Sequence, residues 1–508
     1  MMKRTLHIFI VALLFLVLGT ARAYSTEHLT IGITILHVND THGHILPYLK
    51  KSINRKTPVG GAAQLATMIH DERIKNPDGT LLLSGGDMFQ GTPVSNVFRG
   101  EPLIEIMNYL TFDAMVIGNH EFDWKQDVLN TMIHSADFPF LSANIVDTKG
   151  HYIPSVQPYI ILERKGLKIA VIGITTVETA TTTKPNNVKG LTFLNPGKVL
   201  PSLVKEVRDR GADVVIVLSH CGLEADRELV KKGDGIDVIV GGHSHTAVTD
   251  PVVVNDTIIV QAGCFGLYLG VLELKIERKT KRIVQWTRSH ELKTVLSGPD
   301  NPANLHVTGI INKYNNRIKD IFTRVVGETT VDLVQNRMGE SNEGNLLCDA
   351  MKQETGAAIA FFNSGGLKIN IPRGKITMEK IYELLPYDNV LMTMDLTGRQ
   401  IRELLEHGAT LPHGGILQAS GISVTYNLKK PIGERVANVC VENSPLNLMN
   451  VYTVTTNDFL AAGGDGYATF KEGKNIRYGD NLRDVFVEYI KRHSPIDPKI
   501  EGRIVIRR

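Results

Sequence analysis

Gly118-Asn119-His120-Glu121-Phe122-Asp123 follows directly on the apolar run Ala114-Met115-Val116-Ile117. A short apolar run bounded by turn residues reads as a buried strand, so the polar hexapeptide turns out of a sheet at its carboxyl edge. It carries a side-chain amide (Asn119), an imidazole (His120) and a carboxylate (Asp123). Amide and imidazole are metal-ligand chemistry, and a histidine held by an aspartate is proton-transfer chemistry. A single loop of this kind is equally consistent with an ordinary polar turn. The reading therefore depends on whether other strands end in the same way.

Four others do. Ile31 to Val38 is apolar and β-branched and ends in Asn39-Asp40-Thr41-His42-Gly43-His44. Leu81-Leu82-Leu83 ends in Ser84-Gly85-Gly86-Asp87, and Val214 to Leu218 ends in Ser219-His220-Cys221-Gly222. Val238-Ile239-Val240 ends in Gly241-Gly242-His243-Ser244-His245. Helical patterns open at Gly60 and run to about Arg73, and recur at Pro102 to Leu110 and Pro196 to Arg210. Ile169 to Ile174 is a further strand, with no candidate ligand at its end. Strands alternating with helices predict an α/β layered domain, and in such sheets ligands bind at the carboxyl ends of the strands. Asp40, His42, Asp87, Asn119, His220, His243 and His245 are thus expected to converge. Mixed oxygen and nitrogen donors suit Zn²⁺ or Mn²⁺ and not Ca²⁺, which takes oxygens alone. Two such ions about 3.5–4 Å apart bridge a hydroxide and clamp phosphoryl oxygens. Asp87 stands alone at its strand end and has two oxygens to share, so it is the expected bridge.

The chain has 508 residues, enough for two or three domains. A hydrophobic fraction of 43% and a charged fraction of 21% are those of a globular protein. Lys3 and Arg4, the apolar run Ile8 to Leu18 and Ala21-Arg22-Ala23 form a secretory signal peptide, with cleavage expected after Ala23. The run is too short to span a bilayer, and no later stretch is long enough. Losing Lys3, Arg4 and Arg22 takes the formal net charge from +3 to zero. The mature chain therefore has no global attraction for nucleic-acid polymers or anionic lipid. Export permits oxidation of Cys221, Cys264, Cys348 and Cys440; they are too widely spaced for a CxxC metal site, and their pairing is not assignable.

Ser297 to Pro302 is rich in polar and proline residues and reads as a linker; Asn304 to Val326 reads as a helix bridging two domains. Beyond it lie helical patterns at Gly344 to Glu354 and Gly398 to His407, and strand-like runs at Ile422 to Tyr426 and Val451 to Thr455. The predicted order is a signal peptide over 1–23, a first domain over 24–303, a linker helix over 304–326 and a second domain over 327–508.

Asn-Asp-x-His, Gly-Gly-Asp, Gly-Asn-His-Glu-Phe-Asp, Ser-His and Gly-Gly-His-Ser-His, in this order, resemble the motifs of the calcineurin-like metallophosphoesterases. Asn363-Ser364-Gly365-Gly366-Leu367-Lys368, Leu385-Pro386-Tyr387-Asp388-Asn389 and Phe459 through Gly463-Gly464-Asp465-Gly466-Tyr467 narrow the resemblance to the 5′-nucleotidase / UDP-sugar hydrolase family. The resemblance covers essentially the whole mature chain. It implies a four-layer α/β sandwich, two mixed β-sheets flanked by helices, followed by a smaller α/β substrate-binding domain. It also implies that the two domains rotate about the linking helix.

By motif position, the resemblance gives Asp40, His42, Asp87 and His245 to one metal and Asp87, Asn119, His220 and His243 to the other. Some members carry an amide where His245 stands. His120 and Asp123 match the family's catalytic pair, with His120 stabilising or protonating the departing group and Asp123 orienting it. The attacking group would be hydroxide held on the cations. Asp465 would meet ribose hydroxyls, Phe459 would stack on a base and Asn389 would place an amide on the ligand.

Two departures bear on the substrate. Lys368 stands where the family has arginine, keeping the charge but losing the bidentate fork. The family's second stacking aromatic is not found around Gly414 to Gly421, where Ile416, Leu417 and Ala419 stand instead. One-sided stacking forfeits about 1–3 kcal/mol per base and argues against strong purine selectivity. The expected activity is hydrolysis of a 5′-nucleotide to nucleoside and phosphate by an exported enzyme. A 2′,3′-cyclic-nucleotide phosphodiesterase, a UDP-sugar hydrolase and a non-catalytic nucleotide-binding surface protein are the alternatives.

Overall fold

A computed structural model describes residues 29–507 apart from 184–186, 232–233, 288–291, 388 and 412–414. The expected signal peptide, Asp388 and Gly414 lie outside these residues. The chain divides into two compact units, one ending at Asn315 and the other beginning at Asn316. The division falls inside the helix Leu305–Phe322.

Six strands of the first unit position its candidate site: β1 (Thr30–Val38), β2 (Thr80–Ser84), β3 (Ala114–Val116), β4 (Leu167–Thr175), β5 (Val214–His220) and β6 (Val238–Gly241). β1, β2 and β3 are parallel neighbours in a seven-stranded sheet, with Val38 opposite Ser84 and Ser84 opposite Met115. β4, β5 and β6 are parallel neighbours in a six-stranded sheet, with Thr175 opposite His220 and Ser219 opposite Gly241. Antiparallel partners at the flanks make both sheets mixed: Tyr268–Glu277 pairs with β1, and Tyr159–Arg164 pairs with β4.

The strands alternate between two buried faces. Ile33, Ile35, Leu81, Leu83 and Val116 of one sheet share a core with Ile169, Val171, Ile216, Leu218, Val238 and Val240 of the other. Ile172, Val215, Val217 and Ile239 point the opposite way, into a core with Leu200, Leu203, Val204 and Val207 of the helix Pro196–Asp209. Helix Ala62–Lys75 packs against Tyr268–Glu277 of the first sheet. Helix, sheet, sheet and helix are the four expected layers. Burial on both faces is why these strands read as continuous apolar runs and not as alternating ones.

The second unit holds a five-stranded sheet ordered Leu417–Ser420, Ile359–Asn363, Val451–Asn457, Val390–Thr397 and Lys474–Asn481. A four-stranded sheet built on Ile422–Asn427 accompanies it. Its helices are closed by side chains: Ser341 Oγ accepts from Gly344 N at the start of Asn342–Thr355, and Thr397 with Gln400 forms a capping box on Gly398–Gly408.

The helix expected to reach Val326 ends at Phe322. Val325–Thr329 is instead a strand paired antiparallel with Gly374–Thr377. Two adjacent β-branched valines favour this extended pairing, and the partner lies far along the chain, where periodicity cannot detect it. All four cysteines are free thiols.

Candidate active site

Glycine makes room where the loops beyond β2, β3 and β6 close on one another. A Cβ on Gly118 would overlap Asp87 Oδ1, and one on Gly242 would overlap the Gly85 carbonyl. Five of the seven candidate ligand residues are held in left-handed backbone: Asp40 at φ 48°, His42 at 49°, Asp87 at 53°, His243 at 75° and His245 at 55°. Such conformations cost about 1–3 kcal/mol each in non-glycine residues and gather at functional sites.

Two groups of donors result. Asp40, His42 and His245 offer ligand atoms that all lie within 4.8 Å of one another, and so do Asp87, His220 and His243. In the first group His42 Nε2 and His245 Nε2 face each other at 3.0 Å, and Asp40 Oδ1 lies 3.4 Å from His245 Nε2. In the second, His220 Nε2 lies 2.9 Å from Asp87 Oδ2. The far ring nitrogens are committed elsewhere. His42 Nδ1 donates to Gln90 O at 2.8 Å, and His220 Nδ1 donates to Gly85 O at 2.7 Å. That arrangement fixes the tautomer and leaves Nε2 free to ligate. Asn119 is 3% exposed and its Oδ1 has no hydrogen-bond partner among the described residues. A buried amide oxygen without a partner is costly unless something electropositive meets it. The donor set and this orphaned oxygen fit a dinuclear metal centre.

The electrostatics follow from burial and crowded carboxylates. Burial pulls His42 down to about 4. Burial also opposes charge on His220 and His245, but Asp87 outweighs it and raises His220 to about 9, while Asp40 raises His245 to about 10. Asp87 is driven well below the usual carboxylate range by His220 and His120, against its own burial. Ligation of cations requires these imidazoles to give up their protons.

His120 Nδ1 donates to Asp123 Oδ2 at 2.7 Å. Burial disfavours the charged ring, but Asp123 and Asp87 prevail and raise it to about 10. Its ring centroid lies 5.1 Å from that of His42, which puts it beside the first ligand group. Its backbone N–H donates to Asp87 Oδ1 at 2.9 Å.

Several contributing residues were not predicted from the sequence. Asn39 Nδ2 donates to Asp40 Oδ2 (2.6 Å) and to Gly263 O (2.7 Å). Thr183 Oγ1 donates to Asp123 Oδ1 at 3.1 Å, and Asn187 Nδ2 donates to Asp123 O at 2.9 Å. β4, read as ending without a ligand, leads to Glu178, whose Oε2 lies 3.2 Å from His243 Nε2. The signal for Glu178 was its position just beyond a strand end, obscured by the intervening Thr175-Thr176-Val177.

In the second unit Lys368, Asn389, Phe459 and Asp465 line one cavity of ≈ 360 Å³, together with Asn363 and Tyr387. That volume suits a small ligand. Lys368 Nζ donates to Gly365 O at 2.7 Å and lies 5.1 Å from the Tyr387 ring centroid. Asp465 Oδ2 accepts from Asn363 Nδ2 at 3.2 Å. Ile416, Leu417 and Ala419 are buried in the core and do not line the cavity. Tyr387, on another loop, is a second aromatic side chain lining the cavity beside Phe459.

Residues 33–247 match the calcineurin-like phosphoesterase family, and residues 325–472 match the 5′-nucleotidase C-terminal domain. The chain is 31% identical to the 5′-nucleotidase of Bos taurus over 93% of its own length and 90% of that protein. It is 32% identical to the trifunctional nucleotide phosphoesterase protein YfkN of Bacillus subtilis over 93% of this chain, but spans only 35% of that longer protein. The crystal structure of a 5′-nucleotidase precursor from Thermus thermophilus superimposes with a TM-score of 0.64 at 32% identity, covering 94% of this chain and 99% of that one. The chain belongs to the 5′-nucleotidase family of metal-dependent phosphoester hydrolases.

Proposed function

We propose that this protein is an exported two-domain hydrolase that cleaves 5′-nucleotides to nucleoside and phosphate. The observation that carries the reading is the pairing of two histidine–carboxylate groups with an unpartnered Asn119 oxygen and the His120–Asp123 pair. Bound cations would supply activation of water and neutralisation of the phosphoryl oxygens. Asp40, His42, Asp87 and His245 would hold one, and Asp87, Asn119, His220 and His243 the other.

The chain's own residues do the rest. Asp123 accepts the Nδ1 proton of His120 and so directs Nε2 outward, where it donates to the departing oxygen or to a phosphoryl oxygen. Thr183 and Asn187 keep Asp123 in place. In the second unit Phe459 and Tyr387 offer ring faces to a base, Asp465 accepts from ribose hydroxyls, and Asn389 meets the ligand's polar edge. Lys368 adds a single positive charge. Residues 24–303 are the proposed first domain and residues 1–23 the proposed export signal; the proposed second domain, expected from 327, begins at Val325 so as to take in the whole strand Val325–Thr329. Among the described residues no helix is long and apolar enough to cross a membrane.

The test is a substrate panel on the metal-loaded mature protein: AMP, a 2′,3′-cyclic nucleotide and UDP-glucose, compared by kcat/KM. AMP is expected to lead. A leading cyclic nucleotide or sugar nucleotide would move the assignment within the family, and turnover of none would leave a binding protein.

A further inference from the structure

We propose that Glu121 is a positioning residue that sets the distance between Asp87 and Asn119 by acting as an acceptor for both of their loops. This rests on the metal-site reading above. Glu121 is 0% exposed, lies within the hexapeptide beyond β3 and reaches back to the loop beyond β2. Its Oε1 accepts from Met88 N at 2.9 Å. Its Oε2 accepts from Asp87 N at 3.0 Å and from Gly118 N at 2.7 Å.

The need for such a residue follows from the sheet. β2 and β3 pair only through Leu83–Ala114 and Ser84–Met115. Beyond Met115 the paired ladder stops although the two loops stay close, with Gly118 packed against Asp87, so the amides of Asp87, Met88 and Gly118 need acceptors other than a neighbouring strand. Buried amides need acceptors. One carboxylate has enough lone pairs to serve three N–H donors, and an amide side chain does not. Glu121 therefore takes the place of the ladder where the β2–β3 pairing ends. Because it holds Asp87 N and Gly118 N on the same oxygen, it fixes the register of the expected bridging carboxylate against the residue before Asn119. It holds these loops through backbone N–H groups.

The test is cation binding by the metal-stripped full-length chain, read by calorimetric titration with Mn²⁺. Glu121→Gln keeps the size but turns an NH₂ toward an N–H donor. It is expected to weaken one of two Mn²⁺ ions by about 10–100-fold, the usual effect of removing support behind a ligand. The other ion should change by less, and lost turnover should return when Mn²⁺ is raised, which a purely structural defect would not allow. Glu121→Asp keeps the charge but falls one methylene short of three donors; it should weaken the same ion, and it serves if Glu121→Gln does not fold. Unchanged affinity for both ions in a folded variant would overturn the proposal. Failure of the unsubstituted chain to bind two ions would instead overturn the metal-site reading.

Discussion

Replacing Asp123 with asparagine tests whether His120 works as an imidazolium held by a carboxylate. The carboxylate accepts from His120 Nδ1 at 2.7 Å and is itself held through Oδ1 by Thr183 at 3.1 Å. Asparagine fills the same space and keeps the Thr183 hydrogen bond through its own oxygen. Its NH₂, however, faces Nδ1, so a neutral ring carries its proton on Nε2 and can still donate a hydrogen bond there. What it loses is the counter-charge that keeps the ring an imidazolium able to give that proton up. General acid–base contributions of this kind are worth about 10²–10⁴ in rate, or about 3–5 kcal/mol of barrier. D123N should therefore lose about that factor in kcat on AMP while retaining its metal, which elemental analysis checks. The leaving group separates the two roles open to His120. If it protonates the departing oxygen, the loss should shrink by at least about tenfold on p-nitrophenyl phosphate, whose leaving group needs less help. If it stabilises phosphoryl oxygens instead, the loss should be the same on both substrates. A fully metallated D123N whose kcat on AMP stays within about threefold of wild type would refute the role given to the pair.

Gly118→Ala drives a Cβ onto Asp87 Oδ1 and should cost about 1–3 kcal/mol as overpacking, with weaker cation binding; an unaltered Tm and metal content would speak against the close approach. Phe459→Ala and Tyr387→Ala each remove a ring face from the cavity and should raise KM for AMP by the equivalent of about 1–3 kcal/mol. Neither should affect p-nitrophenyl phosphate, and equal losses on both substrates would argue against base stacking. Among the described residues Glu343 has no hydrogen-bond partner on either carboxylate oxygen, and burial raises it to about 8. The fold thus favours its neutral form. Its contribution is fully present below the unfolded pKa near 4.5 and falls as pH rises to about 8, a loss of about 3 kcal/mol at pH 7. Glu343→Gln, neutral throughout, should raise Tm at pH 7.5 and leave it nearly unchanged at pH 4.5; parallel Tm curves for the two proteins would count against this.

The metal loops were legible because each strand that carries them is buried on both faces. Val214 to Leu218 and Val238 to Val240 read as unbroken apolar runs, so the first polar residue after each marks the sheet edge. Three kinds of feature were not legible. Glu121 lies inside the hexapeptide Gly118 to Asp123, but a carboxylate that accepts backbone N–H groups leaves no pattern of residue types. Glu178 reaches His243 across a turn whose length follows from the backbone path and not from the strand. Tyr387 lines the cavity from a segment distant from Ile416 to Ala419, where the second aromatic was sought. The helix ending at Phe322 failed for the same reason: Val325 and Val326 continue an apolar pattern, but their partners at Gly374–Thr377 are non-local.

Anomalous diffraction from crystals of the full-length protein grown with Mn²⁺ bears most directly on the two-cation pocket. Two peaks per chain are predicted, one among Asp40, His42 and His245 and one among Asp87, Asn119, His220 and His243, with Asp87 touching both. A single peak, or peaks away from these side chains, would contradict the account.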